Sequence, residues 1–363
     1  MEAYRKRALA KKTRPMIMIH MNYPKEIQTM IKRFAFVLLF SLVACASSPQ
    51  GTILQEEIAE APILAKAPSL SETEENRLQS ALSQGLSYIG SEEGNALFSP
   101  LSYALTKGLE ERDLDFVGPL TEKTNFVYGS QTKITSLNAV AVFRDVGEDE
   151  ISRYKQSHVS VFHGSTLDAV NARLSDYFCR GINLKFAVDA YINQITLEDD
   201  ADQPWATEMR DFDGKGERRF ATKRQSGIDY VENEGSWFLT AKIGYTDLFV
   251  AYPKEGYQRN QIRLDGWLDK TAYAQAASAS VSIPEFQVDC SYSEGGDGGV
   301  GVNLTQTSEF SFDRYGVKGR AITISEPTAS GPGPERYFVV DRPFYFASAF
   351  QGIPLFVGAF CGI

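Results

Sequence analysis

Two neighbouring stretches decide how this chain folds. The first is Ser311-Phe312-Asp313-Arg314-Tyr315-Gly316-Val317-Lys318-Gly319-Arg320-Ala321-Ile322-Thr323. The second is Tyr337-Phe338-Val339-Val340-Asp341-Arg342-Pro343-Phe344-Tyr345-Phe346, with Gly352-Ile353-Pro354-Leu355-Phe356-Val357-Gly358 behind it. The first reads as an ordered strand. Residues 324–336 between them contain Pro327, Gly331, Pro332, Gly333 and Pro334, which punctuate a chain but do not pack, so this segment is expected to be exposed. The strands that follow are apolar on both faces and belong to a core. Phe344, Phe346, Leu355 and Phe356 are expected to be buried there.

Together these pieces resemble the carboxyl end of the serpin family. Gly316 matches the family's hinge glycine, and Ala321 and Thr323 match later hinge positions. Asp341-Arg342-Pro343-Phe344 matches its turn and Leu355-Phe356-Val357-Gly358 its last strand. Near the amino end, Asn95-Ala96-Leu97-Phe98-Ser99-Pro100-Leu101-Ser102 reads as a short strand that stops at Ser99, with Pro100 opening a helix where its missing N–H does no harm. It resembles the family's Asn-x-x-Phe-Ser-Pro-Leu-Ser run, in which the serines start a buried helix beneath the main sheet. Thr135–Phe143 and Ser280–Val288 resemble two further family strands, and Trp205 stands where the family has a tryptophan near the top of that sheet. The resemblance covers residues 73–363 as one α+β domain. It implies a large central β-sheet with two further sheets, flanking helices and an exposed reactive loop.

The rest of the chain fits between these anchors. Leu78, Leu82, Leu86 and Ile89 recur at helical spacing after Glu74-Glu75. Val159–Phe162, Trp237–Leu239 and Leu248–Tyr252 read as strands, and Asp168–Phe178 as a helix. Val188–Ile195 reads as mixed apolar structure, Gly266-Trp267-Leu268 as a short helix, and the acidic run Glu198-Asp199-Asp200-Ala201-Asp202 as a solvated loop. Few residues separate the buried helix from the strand at Thr135, so one or two surface helices are expected to be shortened or missing.

Charge is unevenly placed. Of 37 Lys/Arg and 46 Asp/Glu, nine and two fall in residues 1–44, a net of +7, which leaves −16 on residues 45–363. That balance repels nucleic acid, and no basic patch interleaves with aromatics; a partner with a basic surface would be steered toward it. Met30-Ile31-Lys32-Arg33 and the apolar run Phe34–Leu42 read as an export signal, too short to span a bilayer. Leu42-Val43-Ala44-Cys45 resembles the bacterial lipobox, which implies lipidation at Cys45, and Ala46 favours the outer membrane if the source is Gram-negative. Ordinary cleavage at Ala44-Cys45-Ala46 would instead release a soluble, secreted product. On this reading residues 1–29 are an upstream extension, 30–44 a signal peptide, and 45–72, rich in Ala, Ser, Pro and Glu, a flexible tether.

Motifs for catalysis are weak. His158 and His163 are the only histidines after the signal, and no nucleophile elbow accompanies them. Asp211-Phe212-Asp213-Gly214-Lys215-Gly216 is similar in outline to a calcium loop, but Lys215 and Thr222 stand where oxygen ligands belong, so a plain turn is expected. Gly295–Gly301 lacks the Gly-Lys-Ser/Thr of a phosphate cradle, and Asn303-Leu304-Thr305 is a glycosylation triplet by pattern alone. Cys179, Cys290 and Cys361 are read as small buried apolar residues. No metal, cofactor or enzymatic activity is expected.

The resemblance implies that the partner performs the chemistry. A serine or cysteine protease attacks the loop and forms an acyl-enzyme. The cut loop then enters the main sheet as a new strand and deforms the protease before water releases it; such insertion is a known use of strand addition. The hinge would be Gly316, Val317, Lys318, Gly319, Arg320, Ala321, Ile322 and Thr323. Alternation points Val317, Gly319, Ala321 and Thr323 inward and Lys318, Arg320 and Ile322 outward. Gly319 is expected to weaken the inserted strand by roughly 0.5–1 kcal/mol relative to alanine, and Pro327 lacks a ladder N–H. The scissile bond is expected at Ser330-Gly331, although counting back from Phe344 gives Pro332-Gly333. Ala329-Ser330 suits an elastase- or subtilisin-like enzyme. Where inhibitory hinges carry a Glu-Glu pair and alanines, this chain has Arg314-Tyr315 and Lys318-Gly319-Arg320. These departures support the alternative, a non-inhibitory serpin-fold binding or scaffold lipoprotein.

Overall fold

The computed structural model describes residues 55–59, 69–128, 132–185, 187–201, 203–276, 278–294, 304–320 and 335–362. The expected lipidation site Cys45, the later hinge residues Ala321, Ile322 and Thr323, and the bait residues Ser330 and Gly331 lie outside them.

Three sheets carry the architecture. The largest has eight strands. They are β1 (Gln55–Glu57), β3 (Phe126–Tyr128), β4 (Thr132–Val142), β5 (Val159–His163), β6 (Ala190–Asp200), β14 (Phe286–Glu294), β15 (Leu304–Asp313) and β16 (Gly316–Arg320). Their order is β1-β5-β4-β6-β16-β15-β14, with β3 paired to β4. The second sheet runs β12-β9-β10-β11-β18-β19-β2. Its strands are β2 (Ala96–Phe98), β9 (Ile228–Glu232), β10 (Ser236–Ile243), β11 (Thr246–Pro253), β12 (Ala274–Ala276), β18 (Phe344–Phe350) and β19 (Ile353–Phe360). The third, β17-β13-β8-β7, comprises β7 (Ala206–Asp211), β8 (Glu217–Gln225), β13 (Ser278–Pro284) and β17 (Glu335–Val339).

The first two sheets meet across an aromatic core. Phe286 lies within 4.8–6.0 Å, centroid to centroid, of Phe310, Phe312, Phe344, Phe346 and Phe360. Every residue of β18 and β19 is buried, Phe344, Phe346, Leu355 and Phe356 among them. A central strand covered on both faces reads as a continuous apolar run, as these do.

Helices cover the flanks. α1 (Glu72–Ser91) starts at a capping box, where Ser71 and Glu74 satisfy each other's backbone amides. It buries Leu78, Leu82 and Ile89, and Lys123 closes on the buried Glu74 at 2.5 Å. α2 (Pro100–Glu110) begins at Ser99, whose hydroxyl accepts from the Ser102 amide at 3.2 Å, and packs beneath β6. Only α3 (Leu114–Thr124) intervenes between α2 and β3. α4 (Glu148–Gln156) and α5 (Leu167–Tyr177) flank β5.

Four expectations are corrected. Residues 45–72 are not tether throughout: Gln55–Glu57 extend the main sheet at its β5 edge, and the Ala59 amide donates to the Ser160 hydroxyl. Val188–Ile195 is not mixed structure but leads into β6. The run 198–202 is not a loop at its start, because Glu198, Asp199 and Asp200 complete β6 and Asp199 is fully buried. Gly266-Trp267-Leu268 is a turn rather than a helix, with Trp267 buried against Phe238.

Candidate functional site

The carboxyl-terminal stretch does not run on as one strand. β15 reverses at Arg314-Tyr315, and β16 returns between β15 and β6. Asp313 drives the reversal, its Oδ1 accepting from the Tyr315 amide at 2.7 Å and the Gly316 amide at 3.2 Å. The turn is tied to the top of the sheet: the Trp205 and Ala201 amides donate to the Arg314 and Tyr315 carbonyls, each at 2.7 Å. Trp205 is buried edge-on against Phe312.

Gly316 has φ +153°, and a Cβ there would collide with the Asp199 carbonyl oxygen. Only glycine lets the strand enter so close to β6. Val317 and Gly319 are buried and Lys318 is exposed, which is the alternation expected of an entering strand. Gly319 sits on aromatic rings. An added Cβ would lie 2.8 Å from the Phe356 ring and 3.1 Å from Phe310. The expected gain from alanine here is therefore corrected: the ring beneath, not backbone entropy, governs the position. A second finding concerns timing. The resemblance implies that the cut loop enters the sheet, yet the start of the expected hinge, Gly316–Arg320, already pairs in it.

Below Gly319 the two flanking strands part. β6 from Ala190 to Ile195 and β15 from Leu304 to Ser308 line a cleft of about 800 Å³, floored by Ser102, Tyr103 and Thr106 of α2. Among the described residues these parts of the strands pair on their outer sides only, to β4 and β14 respectively, so the cleft is bounded by two sheet edges of the kind that can accept a strand. Its polar floor is organised. The Ser99 amide donates to Gln306 Oε1 at 2.5 Å, and Gln306 Nε2 returns a bond to the Ser99 carbonyl at 2.9 Å. Asn193 Nδ2 donates to Asn138 Oδ1 at 2.9 Å and to the Ser136 hydroxyl at 3.1 Å. Asn193 Oδ1 is buried without a partner. Arg180, on the segment after α5, reaches the Thr307 carbonyl at 3.4 Å and so occupies part of the β15 edge.

Above the cleft, burial pushes the Asp199 carboxyl up to about 7, although hydrogen bonds from the Thr246 and Thr132 hydroxyls and the Tyr245 and Thr246 amides pull the other way.

Chains of known structure share this arrangement. Serpin48, a highly specific serpin of the insect Tenebrio molitor, matches with a TM-score of 0.61 at 16% identity, over 82% of this chain and 100% of its own. The thermophilic serpin tengpin in its native state matches with a TM-score of 0.62 at 15% identity, over 84% and 98%. This chain has the serpin fold. The fold extends to binding proteins: human thyroxine-binding globulin complexed with thyroxine matches with a TM-score of 0.56 at 12% identity, over 78% and 95%. No family profile and no curated protein matches the sequence.

β16 comprises the first five of the eight residues expected as the hinge, Gly316–Arg320. Four residues at the site were not singled out in advance: Asp199, Asn193, Gln306 and Arg180. Two carried a readable signal. Period-two alternation through Ile195 and Leu197 points Asp199 inward, and through Phe312, Phe310 and Ser308 it points Gln306 inward. Asp211 caps the β7–β8 turn through the Gly214 and Gly216 amides, as a plain turn requires. Among the described residues no cluster of His, Cys, Asp or Glu is arranged to hold a metal, and no helix is long and apolar enough to cross a membrane. Cys290 is half-buried and Cys361 buried, whereas Cys179 is exposed, which corrects its reading as a core residue.

Proposed function

We propose that this chain is a serpin-family suicide-substrate inhibitor of serine or cysteine proteases, tethered through a lipid on Cys45 at the cell envelope. The observation that carries the reading is the cleft of about 800 Å³ that lies below β16 and is lined by β6 and β15. Gly319 pairs with Leu197 on one side and Phe310 on the other. Continued in that register, Ala321 would fall between Ile195 and Ser308, both buried. Thr323 would fall between Asn193 and Gln306, its hydroxyl facing the unpartnered Asn193 Oδ1. Pro327 would fall opposite Asp189, one residue beyond the start of β6, where its missing N–H costs less than in a central ladder. The inward hinge residues are small, as a filled cleft needs.

Cleavage at Ser330-Gly331 by an elastase- or subtilisin-like enzyme is the expected trigger. The test is direct. The purified protein is mixed with a panel of serine proteases and run on a denaturing gel. An SDS-resistant adduct is expected with an elastase- or subtilisin-like member; cleavage without adduct across the panel overturns the inhibitory reading. Mass spectrometry of the mature amino terminus tests the anchor, with a diacylglyceryl group expected on Cys45 and a free terminus at Ala46 or later against it.

The binding or scaffold reading has its own support. Arg180 already takes up part of the β15 edge, and Lys318-Gly319-Arg320 replaces the expected alanines. That reading predicts clean cleavage with no adduct.

A further inference from the structure

Asp199 is a fully buried carboxylate that the trapping chemistry does not use. It stands at the uppermost of three levels of the main sheet where four strands are in register across the hinge. It pairs with Thr132 of β4 on one side and with Val317 of β16 on the other, and Val317 in turn pairs with Phe312 of β15. Its side chain leaves the sheet toward the turn between β10 and β11. Oδ2 accepts from the Thr246 hydroxyl at 2.6 Å, the Thr246 amide at 3.0 Å and the Tyr245 amide at 3.1 Å; Oδ1 accepts from the Thr132 hydroxyl at 2.8 Å. One side chain thus joins β6, β4 and the second sheet directly behind the place where the hinge strand enters.

We propose that Asp199 is a positioning residue that holds the upper end of β6 against β4 and the β10–β11 turn, and so fixes the slot in which Gly316–Gly319 pair. The inference builds on the hinge reading of β16 but concerns the intact protein.

The geometry accepts a neutral acid as readily as a carboxylate. All three donors on Oδ2 are compatible with a carbonyl oxygen, and a proton on Oδ1 can be given to the Thr132 hydroxyl once that hydroxyl turns to accept it. The charged form gains its four bonds but loses all contact with water, and the deficit raises the folded carboxyl to about 7 from its ordinary 3.8. The folded state therefore binds the extra proton between those values. The tie gains stability as pH falls through about 7, the gain is complete below 3.8, and it is lost as pH rises. Among the described residues, the titratable groups on the surrounding elements have these places. Glu198 and Asp200 on β6, Lys133 on β4 and Lys318 on β16 are exposed, and Lys242 on β10 pairs with Asp247 on β11 at 2.6 Å. The Tyr245 ring turns away onto Tyr128, 4.5 Å between centroids.

Hydrogen exchange read by mass spectrometry on the full chain tests this without any protease, so its failure and that of a trapping assay are separate results. Protection is followed from about pH 5.5 to about pH 8.5, corrected for base-catalysed intrinsic exchange. Peptides over Asp313–Gly319 report on the hinge and Val159–His163 serves as the distant control. In the wild type, hinge protection should fall as pH rises through about 7, with the control flat. Asp199→Asn, which keeps an oxygen for Oδ2's donors and an NH2 for Thr132, should hold full protection at every pH. Asp199→Ala should exchange at the hinge roughly tenfold faster or more, with the control unchanged. Thr132→Val removes one bond that favours the charged form and should move the midpoint to higher pH, which keeps the question answerable if Asp199→Ala does not fold. Wild-type hinge protection in Asp199→Ala, an unaltered pH profile in Asp199→Asn, or an unmoved midpoint in Thr132→Val overturns the proposal.

Discussion

Between β6 and β15 the main sheet is two different objects. Over Leu197–Asp200 it is closed: β16 fills the gap, its inward side chains are Val317 and the bare Cα of Gly319, and aromatic rings press from behind. Over Ala190–Ile195 no described residue pairs between them: the same two strands line a cleft floored by polar groups from α2, β4 and β6. The upper half is apolar and tied to the second sheet through Asp199. The lower half has a polar floor, and Arg180 takes up part of its β15 edge. Edges that present unpaired N–H and C=O groups are sites of strand addition. The difference shows that position along one strand pair decides whether sequence is committed to packing or kept in reserve.

The largest effect should come from filling the open half. If cleavage near Ser330 lets the segment after Arg320 enter the cleft, a new strand adds backbone hydrogen bonds and burial along both edges. The melting temperature after limited proteolysis should then lie far above that of the intact protein, read by calorimetry. An unchanged value would leave the lower half empty after cleavage and favour the binding reading.

Next in size is a block to that filling. Ala321→Arg would drive a charge between Ile195 and Ser308, where burial of an unpaired cation is prohibitive. The variant should be cut as an ordinary substrate, with no adduct on a denaturing gel and no rise in melting temperature after cleavage. Arg320→Ala, which alternation is expected to place on the outward face, is the matched control and should trap as the wild type does.

The frame behind both halves gives a third measurement. Leu355 is buried in β19, and Leu355→Ala should cost about 2–5 kcal/mol in denaturant unfolding. The loss should be the same before and after cleavage, because the residue supports the second sheet rather than the cleft.

Smaller still is the effect in the closed half. Gly319→Ala should destabilise by about 1–3 kcal/mol, since its methyl group meets the Phe356 ring at 2.8 Å. Phe356→Leu in the same chain should recover part of that loss, a coupling that a double-mutant cycle would read. A stabilising Gly319→Ala would mean that the ring can move aside and that backbone entropy governs after all. Pro327→Ala should be the mildest of the set. Its expected register lies past the end of β6, so the trapped fraction should change little; a large rise would extend the receiving strand beyond Ala190.

How much of this was legible beforehand follows from the range of each signal. The burial of β18 and β19 was visible because uninterrupted apolar runs need no partner to be recognised. The helix at Pro100 was visible because a cap and a proline act within four residues. The faces of Val317, Lys318 and Gly319 followed from alternation alone. Asp199 was misread because an acidic run resembles a solvated loop when charge is weighed and alternation is not. Arg180 had no local signal: its contact is with a carbonyl 127 residues away.

The chain by itself thus determined which segments become strands and helices, which faces they bury, and the order of pieces that resembles the serpin family. Those properties depend on side-chain periodicity and on turn chemistry within a few residues, and both are written locally. Only the tertiary structure decided that β15 turns back at Arg314-Tyr315 to place β16 in the gap, that the gap stays open below Gly319, and that an aspartate is buried above it. Each of these depends on register between strands distant in sequence and on what lies behind the sheet. Asp199 and Val317 are paired in space but separated in the chain by strands of all three sheets, β7 to β15. No local pattern encodes that pairing; it is chosen by the packing of Phe310, Phe356 and their neighbours, which exists only once the sheets have met.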